Sequence, residues 1–284
     1  MSDNGPAPED EADTHISAEE QVEARELTRL KSRVVYEIIR QEGESELKRP
    51  QSSIWWSGIA AGVGVSLSLM TEAMLRAHLP DAPWRPLVEN IGYTSGFLLV
   101  MLSRLQLFTE NTITTVLPTF ANPCRRTMLG TLRLWGIVFV ANMIGTFLAA
   151  IIFAHGGILP AEVVAAALDL SRDVAGWDAG QTFTRAIPAG FLIAAVVWMM
   201  PSSEGSEFWV IFLFTYIIAL GEMAHVVVGS VELFLLVVTG EGNAAKLIVV
   251  TLLPALCGNI LGGTGLFALL AWGQVSTEIT DKAP

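Results

Sequence analysis

The chain has 284 residues, of which 52% are hydrophobic and 16% charged, with a formal net charge of −11. Soluble domains of this length carry about 25% charged residues, so the composition excludes a soluble enzyme or a nucleic-acid-binding domain and points to a polytopic membrane protein. The negative charge sits mostly in the ends and loops, with Glu9, Asp10, Glu11, Asp13, Glu19, Glu20 and Glu23 near the start, so it does not mark a cation site.

Residues 1–16 are acidic, with Gly and Pro and almost nothing to bury, and are expected to be disordered. Ser17-Ala18-Glu19-Glu20 can cap a helix, and Leu27, Leu30, Val34, Val35, Ile38 and Ile39 fall at helical spacing, so residues 17–45 are predicted to form an amphipathic helix ending near Gly43. Its expected place is the cytoplasmic membrane surface or a neighbouring subunit. Apolar runs follow at Ile54 to Leu75, Ile91 to Phe120, Leu134 to Phe153, Ala186 to Met200, Phe208 to Val238 and Leu247 to Trp272. Backbone polar groups in lipid must be paired within the segment, so all six crossings are predicted to be helical. The second is interrupted by Thr109-Glu110-Asn111-Thr112 and the fifth by Gly221-Glu222-Met223-Ala224-His225. Residues 154–182 form the longest connection, expected outside the cell, and residues 273–284 form a tail.

The runs repeat. Thr109 stands in one break where His225 stands in the other, about 116 residues on, and Ala141-Asn142-Met143-Ile144-Gly145-Thr146 matches Gly258-Asn259-Ile260-Leu261-Gly262-Gly263-Thr264 at about 117. Gly58 to Gly62 likewise echoes Ala186 to Gly190. Three spans repeated after three invert the second copy, giving halves of residues 52–153 and 183–272 and a transport site near the midplane. Asn142 and Asn259 are expected to tie the free backbone groups of the breaks to the third and sixth spans. Arg25, Arg29, Lys31, Arg33, Arg40, Lys48 and Arg49 precede the first span, and Arg125, Arg126 and Arg133 follow the second, which predicts that both ends are cytoplasmic. No signal peptide is expected before Ile54. Cys124 and Cys257 are expected to be free thiols. Metal-ligand clusters and phosphate-binding loops are absent from the sequence, so neither metal nor cofactor is expected.

A helix that restarts at mid-membrane presents unpaired N–H groups and a positive dipole end, a combination that attracts anions. Asn111 or Thr112 is expected to cap the first restart, and the second begins at about Val226. His225 is the only histidine well inside a span, which makes it a functional candidate. Arg104, Glu110, Glu222 and Glu232 lie in or beside the broken spans. Buried charges need partners, so Arg104 is expected to pair with one of these glutamates in an architectural role; a proton relay through Glu222 to His225 is the rival reading. Gly229-Ser230-Val231-Glu232 lacks the second glycine and strand-turn-helix context of a hydrolase elbow.

The run Leu107-Phe108-Thr109-Glu110-Asn111-Thr112, the histidine after a broken fifth span, and Gly258-Asn259-Ile260-Leu261-Gly262-Gly263 resemble the formate/nitrite transporter family, in particular its YfdC-like branch, whose Phe-Thr-Glu-Asn-Thr signature runs from Phe108 to Thr112. The similarity covers about Tyr36 to Trp272. It implies an aquaporin-like six-helix protomer in a pentamer, each protomer passing small monovalent anions such as formate or nitrite through the inner membrane. It also implies that Leu107, Phe108 and Thr109 form the first constriction and that His225 is the central histidine. The chain departs from the family pattern at Ala224, where Glu is usual, at Gly229, where Asn is usual, and before the fourth span, where a lysine is frequent. The mechanism so implied is facilitated passage of a weak-acid anion, collected by the half-helix dipoles and protonated at His225. A neutral-solute channel of the aquaporin type shares the layout, but of the two Asn-Pro-Ala motifs that would mark it only Asn122-Pro123 occurs. A third reading is a non-transporting scaffold or sensor acting through the amphipathic arm.

Overall fold

The computed structural model describes residues 30–280. The expected disordered tail, the cap at Ser17 and the last four residues lie outside them. Helix α1, Ser32–Lys48, continues through Gly43 instead of ending there. A Cβ at Gly43 would lie 2.0 Å from the Thr114 carbonyl oxygen, so the glycine is a point of close helix contact. The helix stops at Arg49, which is extended because Pro50 follows it. Val35, Tyr36 and Ile39 are buried, whereas Leu30 and Val34 are exposed.

Among the described residues, four helices are long and apolar enough to cross a membrane: α2, Gln51–His78; α6, Arg125–His155; α8, Ala179–Ser202; and α11, Ala244–Glu278. The other two crossings are composite. One is α3, Arg85–Leu102, followed after a gap by α4, Phe108–Thr114, and α5, Val116–Ala121. The other is α9, Glu207–Leu220, followed after a gap by α10, Val226–Val238. The connection between halves contains a further helix, α7, Ala161–Ala175, packed on the second half of α2 and on α10. Helix α6 runs from the end of the bundle carrying α1, where Arg133 donates to the Leu47 carbonyl, to the end carrying α7, where His155 reaches the Val238 carbonyl. Gln274 donates to the Ser32 hydroxyl, so both ends of the described chain meet at the α1 end.

The halves repeat in atomic detail. α2 packs on α6 with Gly62 against Asn142, where a Cβ would lie 2.3 Å from the Asn142 carbonyl oxygen. α8 packs on α11 with Gly190 against Asn259, at 2.2 Å. The two breaks correspond bond for bond. Before the first, the amides of Ser103, Arg104 and Leu105 reach the carbonyls of Leu99, Met101 and Val100; before the second, Gly221, Glu222 and Met223 reach Ile217, Ala219 and Ile218. Both helices therefore end in a Schellman-type closure whose left-handed residue is not glycine: Arg104 has φ 52° and Glu222 φ 48°.

This correspondence corrects the sequence reading in two ways. The first break is Ser103 to Leu107, and Thr109, Glu110, Asn111 and Thr112 lie inside α4. The position equivalent to His225, which precedes α10, is then Leu107, which precedes α4. Thr109 sits two residues further on.

Candidate transport site

Each break is held by one asparagine. Asn142 Oδ1 accepts from the Phe108 amide at 2.9 Å, and its Nδ2 donates to the carbonyls of Gly58 (2.8 Å) and Gln106 (2.9 Å). Asn259 Oδ1 accepts from the Val226 amide at 2.8 Å, and its Nδ2 donates to Ala186 (2.8 Å) and Ala224 (2.9 Å). Both side chains are fully buried. One amide thus satisfies the first donor of a restarted helix and an orphan carbonyl of the loop before it, as an apolar setting requires. Asn142, not Asn111 or Thr112, is therefore the cap of α4. Asn111 Nδ2 instead donates to Gln106 Oε1 (3.0 Å) and the Leu107 carbonyl (3.1 Å), and Thr112 Oγ1 donates to the Thr109 carbonyl (2.7 Å).

The first turn of α4 meets the second break through Thr109 and His225. Thr109 Oγ1 lies 2.8 Å from His225 Nε2, and the two residues are 0% and 2% exposed. His225 Nδ1 accepts from the Val228 amide at 3.3 Å, so the imidazole caps its own helix. With Nδ1 accepting, Nε2 carries the ring hydrogen and donates to the threonine oxygen. Phe97 of α3 stands edge-on to the imidazole, with ring centroids 4.9 Å apart. Phe97, Leu107 and Phe108 are all buried. Phe108 turns toward α6, where its ring meets Trp135 and Phe139 edge-on at 5.8 and 5.3 Å.

From the α7 end a cavity of about 420 Å³ reaches His225, its wall including Glu72, Glu89, Tyr93, Glu222 and Glu232. From the α1 side, α1 covers the first break: Gln106 Nε2 donates to Glu46 Oε2 (2.8 Å) and the Gln106 amide to Ser57 Oγ (3.1 Å).

The expected pairing of Arg104 with a buried glutamate is not what the structure contains. Arg104 points outward, its side chain 87% exposed, and pairs with Glu42 of α1 at 3.7 Å. Its left-handed backbone places it on the outside of the loop. Glu222, the equivalent residue of the second break, is likewise 69% exposed and pairs with Arg185 at 3.0 Å. The Arg185 guanidinium also stacks 4.6 Å from the centre of the Trp177 ring. Glu110 Oε1 is buried with no hydrogen-bond partner among the described residues. Glu232 lies inside α10, in the cavity wall. Gln106, Phe97 and the carboxylates of Glu72 and Glu89 were not singled out in the sequence; Glu72 is an acid inside the first apolar run, which is the signal that marks it, whereas Glu89 precedes the second run and carries no such signal.

The family model for the formate/nitrite transporters matches residues 33–273, and the inner membrane protein YfdC of Escherichia coli K12 is 41% identical over 256 residues, covering 89% of this chain and 83% of that protein. The chain belongs to the formate/nitrite transporter family. Membership places it among channels and transporters, not enzymes. Two solved structures of the family's fold superimpose: a pentameric formate channel with formate bound, TM-score 0.67 at 18% identity over 80% of this chain and 98% of that one, and a second family ion channel, TM-score 0.68 at 19% identity over 86% and 96%. The fold is therefore the aquaporin-like one that the resemblance implied.

Proposed function

We propose that the protein is a channel-like facilitator for small monovalent weak-acid anions such as formate and nitrite, assembled as a homopentamer in the inner membrane with both ends cytoplasmic. The observation that carries the reading is the Thr109–His225 contact, because it joins the first turn of α4 to the second break at a histidine that lines the cavity from the α7 end. A dry barrier lets a neutral acid pass at far lower cost than its anion. The dipoles of α4 and α10 bring the anion to the barrier, and a proton handled at His225 neutralises it. Leu107 and Phe108 supply the apolar part of the barrier. Asn111 and Thr112 brace the start of α4 from within, through bonds to the Leu107 and Thr109 carbonyls. The pentamer and the formate-like solute are supported by the pentameric formate channel of the same fold, the inner membrane by the Escherichia coli relative's description, and the orientation by the basic residues around α1 and at the start of α6. In this orientation α1 lies in the cytoplasm and residues 154–182 face outward.

The test is flux of formate and nitrite into proteoliposomes from mildly acidic to neutral pH. His225→Ala is expected to leave the fold intact and change the pH dependence, and Thr109→Ala to act in the same direction more weakly by freeing the imidazole. A His225→Ala variant with wild-type rate, selectivity and pH profile returns His225 to a packing role and removes the mechanism.

A further inference from the structure

The cavity on the α7 side of His225 is lined by more carboxyl groups than cations. Its guanidinium partners are already committed. Arg76 and Arg85 both hold Glu89, at 3.3 and 3.2 Å, Arg76 also reaches Asp173 at 3.6 Å, and Arg185 holds Glu222. Glu72 of α2 and Glu232 of α10 are each 7% exposed, line the cavity, and have neither a hydrogen bond nor an ion pair with any described residue. On the same wall the hydroxyl of Thr251, a residue 3% exposed, is buried without a partner. Such groups are left unmatched in a folded protein where something else is to meet them.

Sequence spacing connects this pair to the histidine. His225, the N-cap of α10, and Gly229 and Glu232 within it follow one another at i, i+4 and i+7, so all three lie on one face, with Glu232 about 10 Å along the helix from His225. A Cβ placed on Gly229 would meet only Glu232 Oε2, at 3.9 Å. The glycine leaves an open stripe between carboxyl and imidazole. Glu232 is within Coulombic reach of Glu72 and Asp173, and Glu72 of Glu89 and Arg76; Tyr93 of α3 and Glu222 of the second break complete the polar wall.

We propose that Glu72 and Glu232 are a specificity-determining carboxyl filter, which admits small monobasic weak acids carrying their proton and turns back permanently ionised anions of the same size. The proposal rests on the transport reading above and adds to it a second proton-handling element: the carboxyls neutralise anions that enter from the α7 end, and His225 neutralises those that reach the barrier still charged. An ionised Glu72 or Glu232 repels a bare anion, because among the described residues the guanidinium in the cavity wall, Arg76, is already paired with Glu89 and Asp173. A protonated one donates: its O–H bond breaks, an O–H bond forms on the oxygen of formate or nitrite, and the carboxylate regains a proton from the solution at the rim formed by Asp173 and Glu222. Nitrate is too weak a base to take that proton and meets only the repulsion. Replacement by glutamine removes both the charge and the exchangeable acid while keeping the shape.

The experiment measures nitrite, formate and nitrate uptake by proteoliposomes of the full chain, together with proton uptake from an enclosed pH dye, for wild type, Glu72→Gln and Glu232→Gln. The wild type is expected to favour nitrite over nitrate by about tenfold or more, with a proton accompanying each weak-acid anion. Each glutamine variant should shrink that preference by about tenfold and flatten the dependence on external pH. Two wild-type results overturn the proposal without any variant: nitrate carried as fast as nitrite, or formate carried with no proton. Active variants with unchanged preference and pH profile overturn it as well. A wild type inactive toward all three anions refutes the transport reading itself, and the filter with it.

Discussion

Replacing Asn142 by alanine tests whether single side chains hold the broken helices in place. The asparagine is fully buried and makes three hydrogen bonds, to the Phe108 amide and to the Gly58 and Gln106 carbonyls. The Gly58 carbonyl lies within α2 and keeps its helical partner, so alanine strands chiefly one donor and one acceptor. At about 1–3 kcal/mol for each buried group left unpaired, the loss is about 2–6 kcal/mol. Asn259→Ala should cost the same within error, because its three bonds have the same partners in the other half and the same lengths to within 0.1 Å. Asn142→Asp keeps the acceptor for Phe108 but turns the donor into a second acceptor facing two carbonyls, and should lose more than alanine does. The assay is equilibrium unfolding in mixed detergent micelles, followed by tryptophan fluorescence. Losses below about 1 kcal/mol for both alanine variants would refute the reasoning, since unpaired groups at the breaks would then be finding water or each other.

Gly190→Ala places a methyl group 2.2 Å from the Asn259 carbonyl oxygen and 2.7 Å from its Cα, so α8 and α11 must separate, at about 1–3 kcal/mol in the same unfolding assay. Gly136→Ala, in the interior of α6 with nothing within 4 Å of the new Cβ, is the control and should be neutral or stabilising by up to about 1 kcal/mol. Arg104→Ala breaks only an exposed ion pair and should shift stability by less than about 1 kcal/mol. Arg104→Gly relieves a left-handed backbone and should equal or exceed the wild type in the same measurement. On α1, the hydrogen bonds from Arg40 hold the Glu37 carboxyl below its ordinary value of 4.5. The pair lies within α1, so its contribution to the stability of that helix is present above the unfolded value and lost as pH falls through the folded one. Glu37 is 45% exposed, so the effect is below about 1 kcal/mol, and Arg40→Gln should remove this part of the acid sensitivity when fraying of α1 is followed by limited proteolysis.

Apolar length and interruption were enough to find the six crossings, because hydrocarbon admits only helices whose backbone groups are paired and whose side chains are apolar. The same rule made His225, Asn142 and Asn259 visible, as polar groups that need a reason to be in a span. The second break was legible to the residue, since α10 begins at Val226. The first was misplaced toward Thr109 because Leu105-Gln106-Leu107 reads as continuing helix, while the signal that ends α3 is a left-handed arginine that no local pattern announces. Tertiary structure alone decided that Thr109 meets His225 although the two are not equivalent in the repeat, that Arg104 turns out to Glu42, and that Glu72, Glu89 and Glu232 from three helices share one cavity. Hydropathy determines which segments enter the bilayer. Which polar atoms meet there depends on the rotation and register of helices more than a hundred residues apart, and these are settled by close contacts such as Gly62 on Asn142 and Gly190 on Asn259.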